Sequence, residues 1–240
     1  AERIAYGFGC GTYTAKNIEM NINGMNFEVL VPHNGEDIEK IKIYTKLTGK
    51  FNVHNILAAA AALKIMGISY RDIVKYIAEF TAVDGRFNRI KLNNGADAII
   101  DYSHTPDSLK KAIAAIREIL DESGSNGKII TVFGCGGNRD ISKRPEMGKI
   151  AAAGSSEVII TSDNPRFEEP MEIIEAIKSG ITSDNYTIEE NRELAIKKAI
   201  ELSSKGDIIL IAGKGHETYQ EIKGIKYLLS DKEIAEKYGK

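Results

Sequence analysis

The sequence predicts an α/β fold built around a mostly parallel β-sheet, and three observations predict it. Four short, continuously apolar runs, residues 98–100, 129–133, 158–160 and 208–212, have the pattern of strands buried on both faces. Amphipathic segments of helical character separate them, the alternation of a crossover-connected sheet. Each run ends in polar or glycine-rich residues: Asp101-Tyr102-Ser103-His104-Thr105-Pro106-Asp107, Gly134-Cys135-Gly136-Gly137-Asn138-Arg139-Asp140, Thr161-Ser162-Asp163-Asn164-Pro165-Arg166 and Gly213-Lys214-Gly215-His216-Glu217. Ligands of such sheets bind outside the carboxyl ends of the strands, so the four loops predict one small-molecule site.

The elements follow in order. Residues 17–23 and 25–31 flank Asn23-Gly24, a dipeptide suited to a tight hairpin turn, with Ile18, Met20, Ile22 and Phe27, Val29, Val31 alternating on either side. A short strand is expected around residues 41–44. Residues 48–55 lead into an alanine-rich helix over 56–66, which Gly67 is placed to end. Ser69, with Asp72 three residues on, caps a second helix through about Phe80. Residues 81–87 are turn-like, and a domain boundary falls there, between 1–84 and 85–240. Beyond it Thr105 and Pro106 start a helix that runs to about Leu120, and Pro145 and Pro170 are similarly placed at helix starts. Helices near 144–153, 171–178 and 192–203 separate the strands, and Ser230-Asp231-Lys232-Glu233 is a capping box that opens a final one.

Bulk properties exclude more than they assign. A formal net charge of -2 over 240 residues gives no reason to expect nucleic acid or an acidic membrane surface. Neither a long apolar segment nor an N-terminal signal pattern is present, and two cysteines, Cys10 and Cys135, are too few for a disulfide framework, so the cytoplasm is expected. Cys135 reads as a small residue chosen for packing rather than as a nucleophile.

The loop after residue 160 carries the sharpest chemistry. A fixed Arg166 presents paired donors to a carboxylate, Asp163 and Asn164 offer acceptors to an ammonium, and Pro165 stiffens the turn between them. One loop thereby addresses both charged ends of an amino acid. The alternative for these residues is an ordinary turn with a solvated Arg.

Gly49-Lys50-Phe51-Asn52-Val53-His54-Asn55, Gly85-Arg86-Phe87, the loops beginning at Asp101 and Gly134, Lys143-Arg144-Pro145, Asp163-Asn164-Pro165-Arg166 and the loop beginning at Gly213, taken together and in order, resemble the Mur ligases over nearly the whole chain. The resemblance implies an ATP-dependent amide ligase of peptidoglycan precursor synthesis, in which ATP phosphorylates a substrate carboxylate and an incoming amine displaces the phosphate. It further implies a C-terminal Rossmann-like domain at 85–240, preceded at 1–84 by the C-terminal part of the central ATP-binding domain. The implied substrates are UDP-N-acetylmuramoyl-L-alanyl-D-glutamate, meso-diaminopimelate or a close diamino acid, and ATP with Mg2+. Carried over, Arg139, Asp163, Asn164, Pro165, Arg166, Gly213 and Glu217 meet the diamino acid. Arg139 and Arg166 suit its two carboxylates, and Glu217 with the Gly213 carbonyl suits an ammonium. Asn52, Asn55, Arg86 and Asp101 meet ATP. Local alternatives stand beside these roles: an Arg139–Asp140 pair, a solvated Glu217, Asn55 as a helix cap and Arg86 in a structural ion pair. The parts played by His54, His104 and His216 stay open.

One departure bears on activity. No Gly-x-x-x-x-Gly-Lys-Ser/Thr run occurs, since Gly213-Lys214 is followed by Gly215 and Gly49-Lys50 by Phe51. The expectation is a chain that begins inside the central domain, without the phosphate-binding half or metal ligands. Two other classes compete. A nicotinamide dehydrogenase would use the glycine turn after Phe133, but Gly134-x-Gly136-Gly137-x-Arg139 lacks the third spaced glycine. A non-catalytic amino-acid- and nucleotide-binding module would keep the loops without the phosphate cradle. Nothing in the residues separates diaminopimelate from lanthionine. The 240-residue polypeptide is expected to release no ADP from ATP in the presence of substrates. A coupled assay finding stoichiometric ADP release would contradict this.

Overall fold

The structure is a computed structural model and describes residues 3–9, 11–33 and 37–240, so Cys10 lies outside the described residues. The chain divides into two compact units: residues up to 82 with Glu118–Gly124, and Val83–Arg117 with Ser125–Lys240.

In the first unit, β1 (Tyr6–Phe8), β2 (Tyr13–Asn21), β3 (Gly24–His33) and β4 (Asp37–Thr45) form a sheet in that order, antiparallel except for the parallel β1–β2 pair. Alternation decides its buried face: Met25, Phe27, Val29 and Val31 of β3 point inward. Val29, Val31 and Ile43 line one small cavity together with Ile56 and Ala60 of α1 (Lys50–Ile65) and Ile73 of α2 (Tyr70–Glu79). The hairpin turn falls one residue earlier than expected. Asn21 pairs with Gly24, so Ile22 and Asn23 make the turn, and the Asn23 N–H closes it on Asn21 Oδ1 at 2.8 Å. Gly24, at φ 148°, is needed instead for contact with β4, where a Cβ would lie 2.2 Å from the Thr45 carbonyl oxygen. Helix α1 begins at Lys50 rather than near residue 56, which puts Asn52 and Asn55 on its first turns. It ends as expected at Gly67, φ 88°, where Ile68 N–H reaches back to the Leu63 carbonyl. Ser69 caps α2, accepting the Asp72 N–H at 3.2 Å.

The second unit is the expected α/β arrangement. Its six-stranded sheet has the order β5-β6-β10-β7-β8-β9, with β5 (Asn88–Lys91), β6 (Asp97–Asp101), β7 (Ile129–Phe133), β8 (Glu157–Ile160), β9 (Tyr186–Ile188) and β10 (Ile208–Ala212). All neighbours are parallel except β5–β6. Every residue of β7 and β10 is buried, as their unbroken apolar character requires. Because β10 inserts between β6 and β7, the loop at Gly213 emerges between those at Asp101 and Gly134, with the Thr161 loop next in line. The helices are α3 (Pro106–Glu122), whose residues from Glu118 on are counted with the first unit, α4 (Lys143–Gly154), α5 (Pro170–Lys178), α6 (Arg192–Leu202) and α7 (Asp231–Gly239). Pro106 and Pro170 open their helices, Pro145 is third in α4, and Ser230 caps α7 by accepting the Glu233 N–H. The strands not anticipated, β1, β5, β9 and the antiparallel pair β11 (Tyr219–Ile222) and β12 (Ile225–Leu228), are three or four residues long.

Ile100, Val132, Ile159, Ile196, Ile211 and Ile234 belong to one continuous core in the second unit. Residues 85–240 expressed alone are expected to melt in one cooperative transition. Calorimetry giving a broad, non-cooperative unfolding would contradict a self-sufficient core.

Candidate functional site

The four expected loops meet at the carboxyl edge of the second unit's sheet, and glycine sets how closely. A Cβ on Gly134 would lie 2.2 Å from the Thr161 carbonyl oxygen, and one on Gly137 would lie 1.9 Å from that of Pro165. The backbones of loops 134–140 and 161–166 therefore run in direct contact, and the Gly137 N–H donates to the Asn164 carbonyl at 2.9 Å. Gly213, at φ 117°, donates to the Asp101 carbonyl at 3.1 Å and leaves room for Asp163, whose Oδ2 would sit 2.7 Å from an added Cβ.

Arg166 adopts φ 54°, left-handed backbone that costs a side-chain-bearing residue about 1–2 kcal/mol. Strand β11 and the residue after it enforce it. The Arg166 N–H donates to the Glu221 carbonyl at 3.0 Å, and its own carbonyl accepts the Lys223 N–H at 2.6 Å. The guanidinium is held as well: Nη1 donates to the Gly137 carbonyl at 2.8 Å and Nε lies 3.4 Å from Glu221 Oε2. The solvated-turn reading therefore fails. Arg139 is exposed and does not pair with Asp140, whose Oδ1 accepts from the Ser142 N–H and hydroxyl instead. Both arginine side chains pass Gly136, whose added Cβ would lie 2.8 Å from Arg166 Nη1 and 3.7 Å from the aliphatic Cγ of Arg139.

Asp163 and Asn164, expected to offer acceptors to an ammonium, both have partners within the chain. Asn164 Oδ1 already accepts from Lys214 Nζ at 2.9 Å and from the Glu221 N–H at 2.9 Å, while its Nδ2 donates to Glu217 Oε2 at 2.9 Å. Asp163 Oδ1 accepts the Asn164 N–H at 2.7 Å, and Oδ2 lies 3.9 Å from Arg192 Nη1. Both residues are buried and tied to their own chain, as is Pro165. Glu217, its side chain 19% exposed, is held by Asn164 and by Lys214 at 3.4 Å rather than freely solvated.

Beneath the loops lies a buried ionic layer not anticipated from the sequence. Arg192, 1% exposed, makes two bonds to Asp231, at 2.7 and 2.8 Å, and a third to the Ala212 carbonyl. Burial opposes the charge on Arg192, but Asp231 outweighs it and keeps the guanidinium above its ordinary pKa. Burial pushes Lys214 below the ordinary lysine value, with Asp163 acting against that shift. Cys135 is buried with Sγ 3.7 Å from Met147 Sδ, and burial pushes its thiol up to about 12, which suits a packing role.

The remaining candidates fall on two surfaces. In the second unit, Arg86 stacks its guanidinium over the Tyr102 ring at 5.1 Å, not in an ion pair, and His216 lies 5.6 Å from the same ring. Asp101 accepts from the Phe87 N–H at 2.8 Å and from Ser103 Oγ. His104 Nδ1 lies 2.8 Å from the Tyr102 carbonyl. In the first unit, Asn52 Nδ2 donates to the Thr48 carbonyl, Asn55 Nδ2 donates to Asn52 Oδ1, and His54 packs against Phe8. Asn55 is therefore not the helix cap; Gly49 is. Among the described residues no group of three or more His, Cys, Asp or Glu is placed to hold a metal ion.

Residues 85–215, which hold three of these loops and the start of the one at Gly213, match the family model described as Mur ligase, glutamate ligase domain, and the chain belongs to the Mur ligase family. Within it, the chain is 39% identical over 237 residues to the UDP-N-acetylmuramoyl-L-alanyl-D-glutamate--2,6-diaminopimelate ligase of Halalkalibacterium halodurans, covering 98% of this chain and 47% of the relative. Identity to the enzyme of the same name from Fusobacterium nucleatum is 48% over 199 residues, covering 82% and 40%. The chain thus spans about half the length of the curated relatives it matches. A solved UDP-N-acetylmuramoyl-L-alanyl-D-glutamate--2,6-diaminopimelate ligase superposes with TM-score 0.69 at 32% identity, over 98% of this chain and 47% of that one. A UDP-N-acetylmuramate-alanine ligase from Thermotoga maritima shares the fold at TM-score 0.67 and 19% identity, over 98% and 46%.

Arg192→Ala removes one partner of a fully buried pair and should destabilise the protein by about 3–5 kcal/mol in urea unfolding. A change near zero would mean that the ionic layer does not support the loops above it.

Proposed function

We propose that this chain forms the amino-acid-binding part, together with some of the nucleotide-binding part, of an ATP-dependent ligase. The ligase adds meso-diaminopimelate, or a close diamino acid, to UDP-N-acetylmuramoyl-L-alanyl-D-glutamate in cytoplasmic peptidoglycan precursor synthesis. The observation that carries the reading is that Arg139 and Arg166 lie on loops in direct backbone contact, the Arg166 guanidinium beside Gly136 and the Arg139 stem 3.7 Å from a Cβ built there, with Glu217 fixed between Asn164 and Lys214 on the adjoining loop. Two guanidinium groups and one carboxylate match a ligand with two carboxylates and an ammonium. The names of the relatives support the same substrate.

In this reading residues 85–240 are the amino-acid-binding domain and residues 1–84 the C-terminal part of the ATP-binding domain. Asn52, Asn55, Arg86 and Asp101 serve ATP, and the Arg86-Tyr102 stack offers a flat, cationic surface to a nucleotide. ATP transfers its γ-phosphoryl group to the substrate carboxylate. The amine nitrogen then forms the C–N bond as the C–O bond to phosphate breaks, phosphate leaves with the electron pair, and the amine sheds a proton. The chain's own residues orient that amine: the arginines hold the carboxylates, and Glu217 receives an ammonium. Mg2+ would neutralise phosphate charge, and no described cluster suits it, so no residue of this chain is assigned to it. No described helix is long and apolar enough to cross a membrane.

A non-catalytic binding module is the second reading, favoured by the missing Gly-x-x-x-x-Gly-Lys-Ser/Thr run.

Arg166→Ala in the complete ligase should cost on the order of 2–5 kcal/mol of diaminopimelate binding, because it strands a carboxylate in a closed site. Lysine, with no second carboxylate, should lose little. Arg166→Lys should recover only part, since a point charge cannot reproduce a two-donor fork. Equal losses for both ligands, or a large fall in melting temperature with affinity unchanged, would assign Arg166 a structural role.

A further inference from the structure

Lys143-Arg144-Pro145 stands out in the sequence and has no part in the site as described so far. Arg144 is the second residue of α4 and only 3% exposed, unusual for an arginine. Its Nη2 lies 3.0 Å from Glu168 Oε1 and 2.9 Å from Oε2, while its buried Nε has no hydrogen-bond partner. Glu168 Oε1 also accepts the Asn138 N–H, and in return Asn138 Oδ1 accepts the Phe167 N–H at 3.1 Å. The Asn138 N–H, against the effect of burial and with help from Arg144, holds the Glu168 carboxyl below the usual carboxylate range.

These bonds occupy one place in the fold. Asn138 immediately precedes Arg139, and Phe167 immediately follows Arg166, so the reciprocal bonds join the two loops beside the two arginines. Asn138 is held at φ 52° and Arg166 at φ 54°, so each loop passes through a left-handed residue at the latch. On the inner side Gly137 allows no relaxation, since its backbone already abuts Pro165. Glu168 is a charged acceptor that spans the gap, and Arg144 anchors it to a helix rather than to another loop.

We propose that Glu168, anchored by Arg144, is a positioning residue that sets the separation of the Arg139 and Arg166 guanidinium groups and thereby selects ligands carrying two carboxylates a fixed distance apart. The proposal rests on the reading of the site as a diamino-acid pocket and assigns that pocket its ruler. Glu168 touches no ligand; it acts through Asn138 on Arg139. A residue that acts only through another has a distinctive energetic signature: its loss counts for nothing once the second residue is gone.

The test is a double-mutant cycle on the 240-residue chain, with meso-diaminopimelate titrated calorimetrically into wild type, Glu168→Ala, Arg139→Ala and the double variant. Each single substitution should weaken binding by roughly tenfold, and the double variant should bind no more weakly than Arg139→Ala alone. If Glu168→Ala does not fold, Glu168→Gln serves instead; it keeps an acceptor for Asn138 but loses the charge, with a roughly threefold loss that also vanishes beside Arg139→Ala. Losses that add, or a Glu168 variant that binds like wild type, would overturn the positioning role while leaving the pocket intact. A wild-type chain that does not bind meso-diaminopimelate would instead remove the pocket reading, and the ruler with it.

Discussion

The contact between two stretches of backbone, Gly134 against Thr161 and Gly137 against Pro165, is the constraint on which the rest of the site depends. Parallel strands β7 and β8 deliver their outgoing loops side by side, and only residues without a Cβ let them stay in contact beyond the strand ends. With the backbones fixed, side chains can leave in few directions. Asn138 and Arg166 take up left-handed conformations, and the Arg166 guanidinium is turned back onto the Gly137 carbonyl rather than out to solvent. Strain of this kind persists only where surrounding bonds over-determine it, and β11 supplies them on one side.

The second requirement is electrostatic. A loop that buries Asp163 and Asn164 needs compensation from below, which comes from two cations whose burial is nearly complete, Arg192 and Lys214. Removing charges from water is expensive, and a buried pair such as Arg192–Asp231 gains little net stability over apolar packing. Its value is geometric. Arg192 ties the first turns of α6 and α7 to the end of β10, and Lys214 ties the loop after β10 to Asn164. The insertion of β10 between β6 and β7 is what brings this layer under the loops. Glu217 is consequently presented from a supported position, with Asn164 acting as a hydrogen-bonded strut.

The parts legible in the sequence were those governed by local patterning. Unbroken apolar runs identified β6, β7, β8 and β10 because a strand covered on both faces has no polar alternation to confuse. Ser69, Pro106, Pro170 and Ser230 marked helix starts through bonds made within one turn. Asn23-Gly24 misled by one residue because Gly24 answers to β4, a partner some twenty positions away, rather than to the turn. Strands β5 and β9 escaped notice because three or four half-buried residues carry little period. In the candidate site, Arg139, Arg166 and Glu217 were proposed through chemistry and family resemblance together. Arg192 was not, since an arginine in the first turn of an amphipathic helix reads like any solvated one, and only the fold buries it. The internal partners of Asn164 were hidden for the same reason: Lys214 and Glu221 are fifty and more residues distant.

The central claim, that the loops at the carboxyl edge of the second sheet form one pocket for a diamino acid, is most directly tested by mapping ligand contacts by heteronuclear NMR. The isotope-labelled chain would be titrated with meso-diaminopimelate while its backbone and arginine side-chain signals are followed. The account predicts that the largest shifts fall together on residues 136–139, 163–166 and 213–217, with the Arg139 and Arg166 Nε–H signals moving along one binding curve. Shifts confined to one of these loops, centred on another face of the molecule, or following separate curves for the two arginines would contradict it.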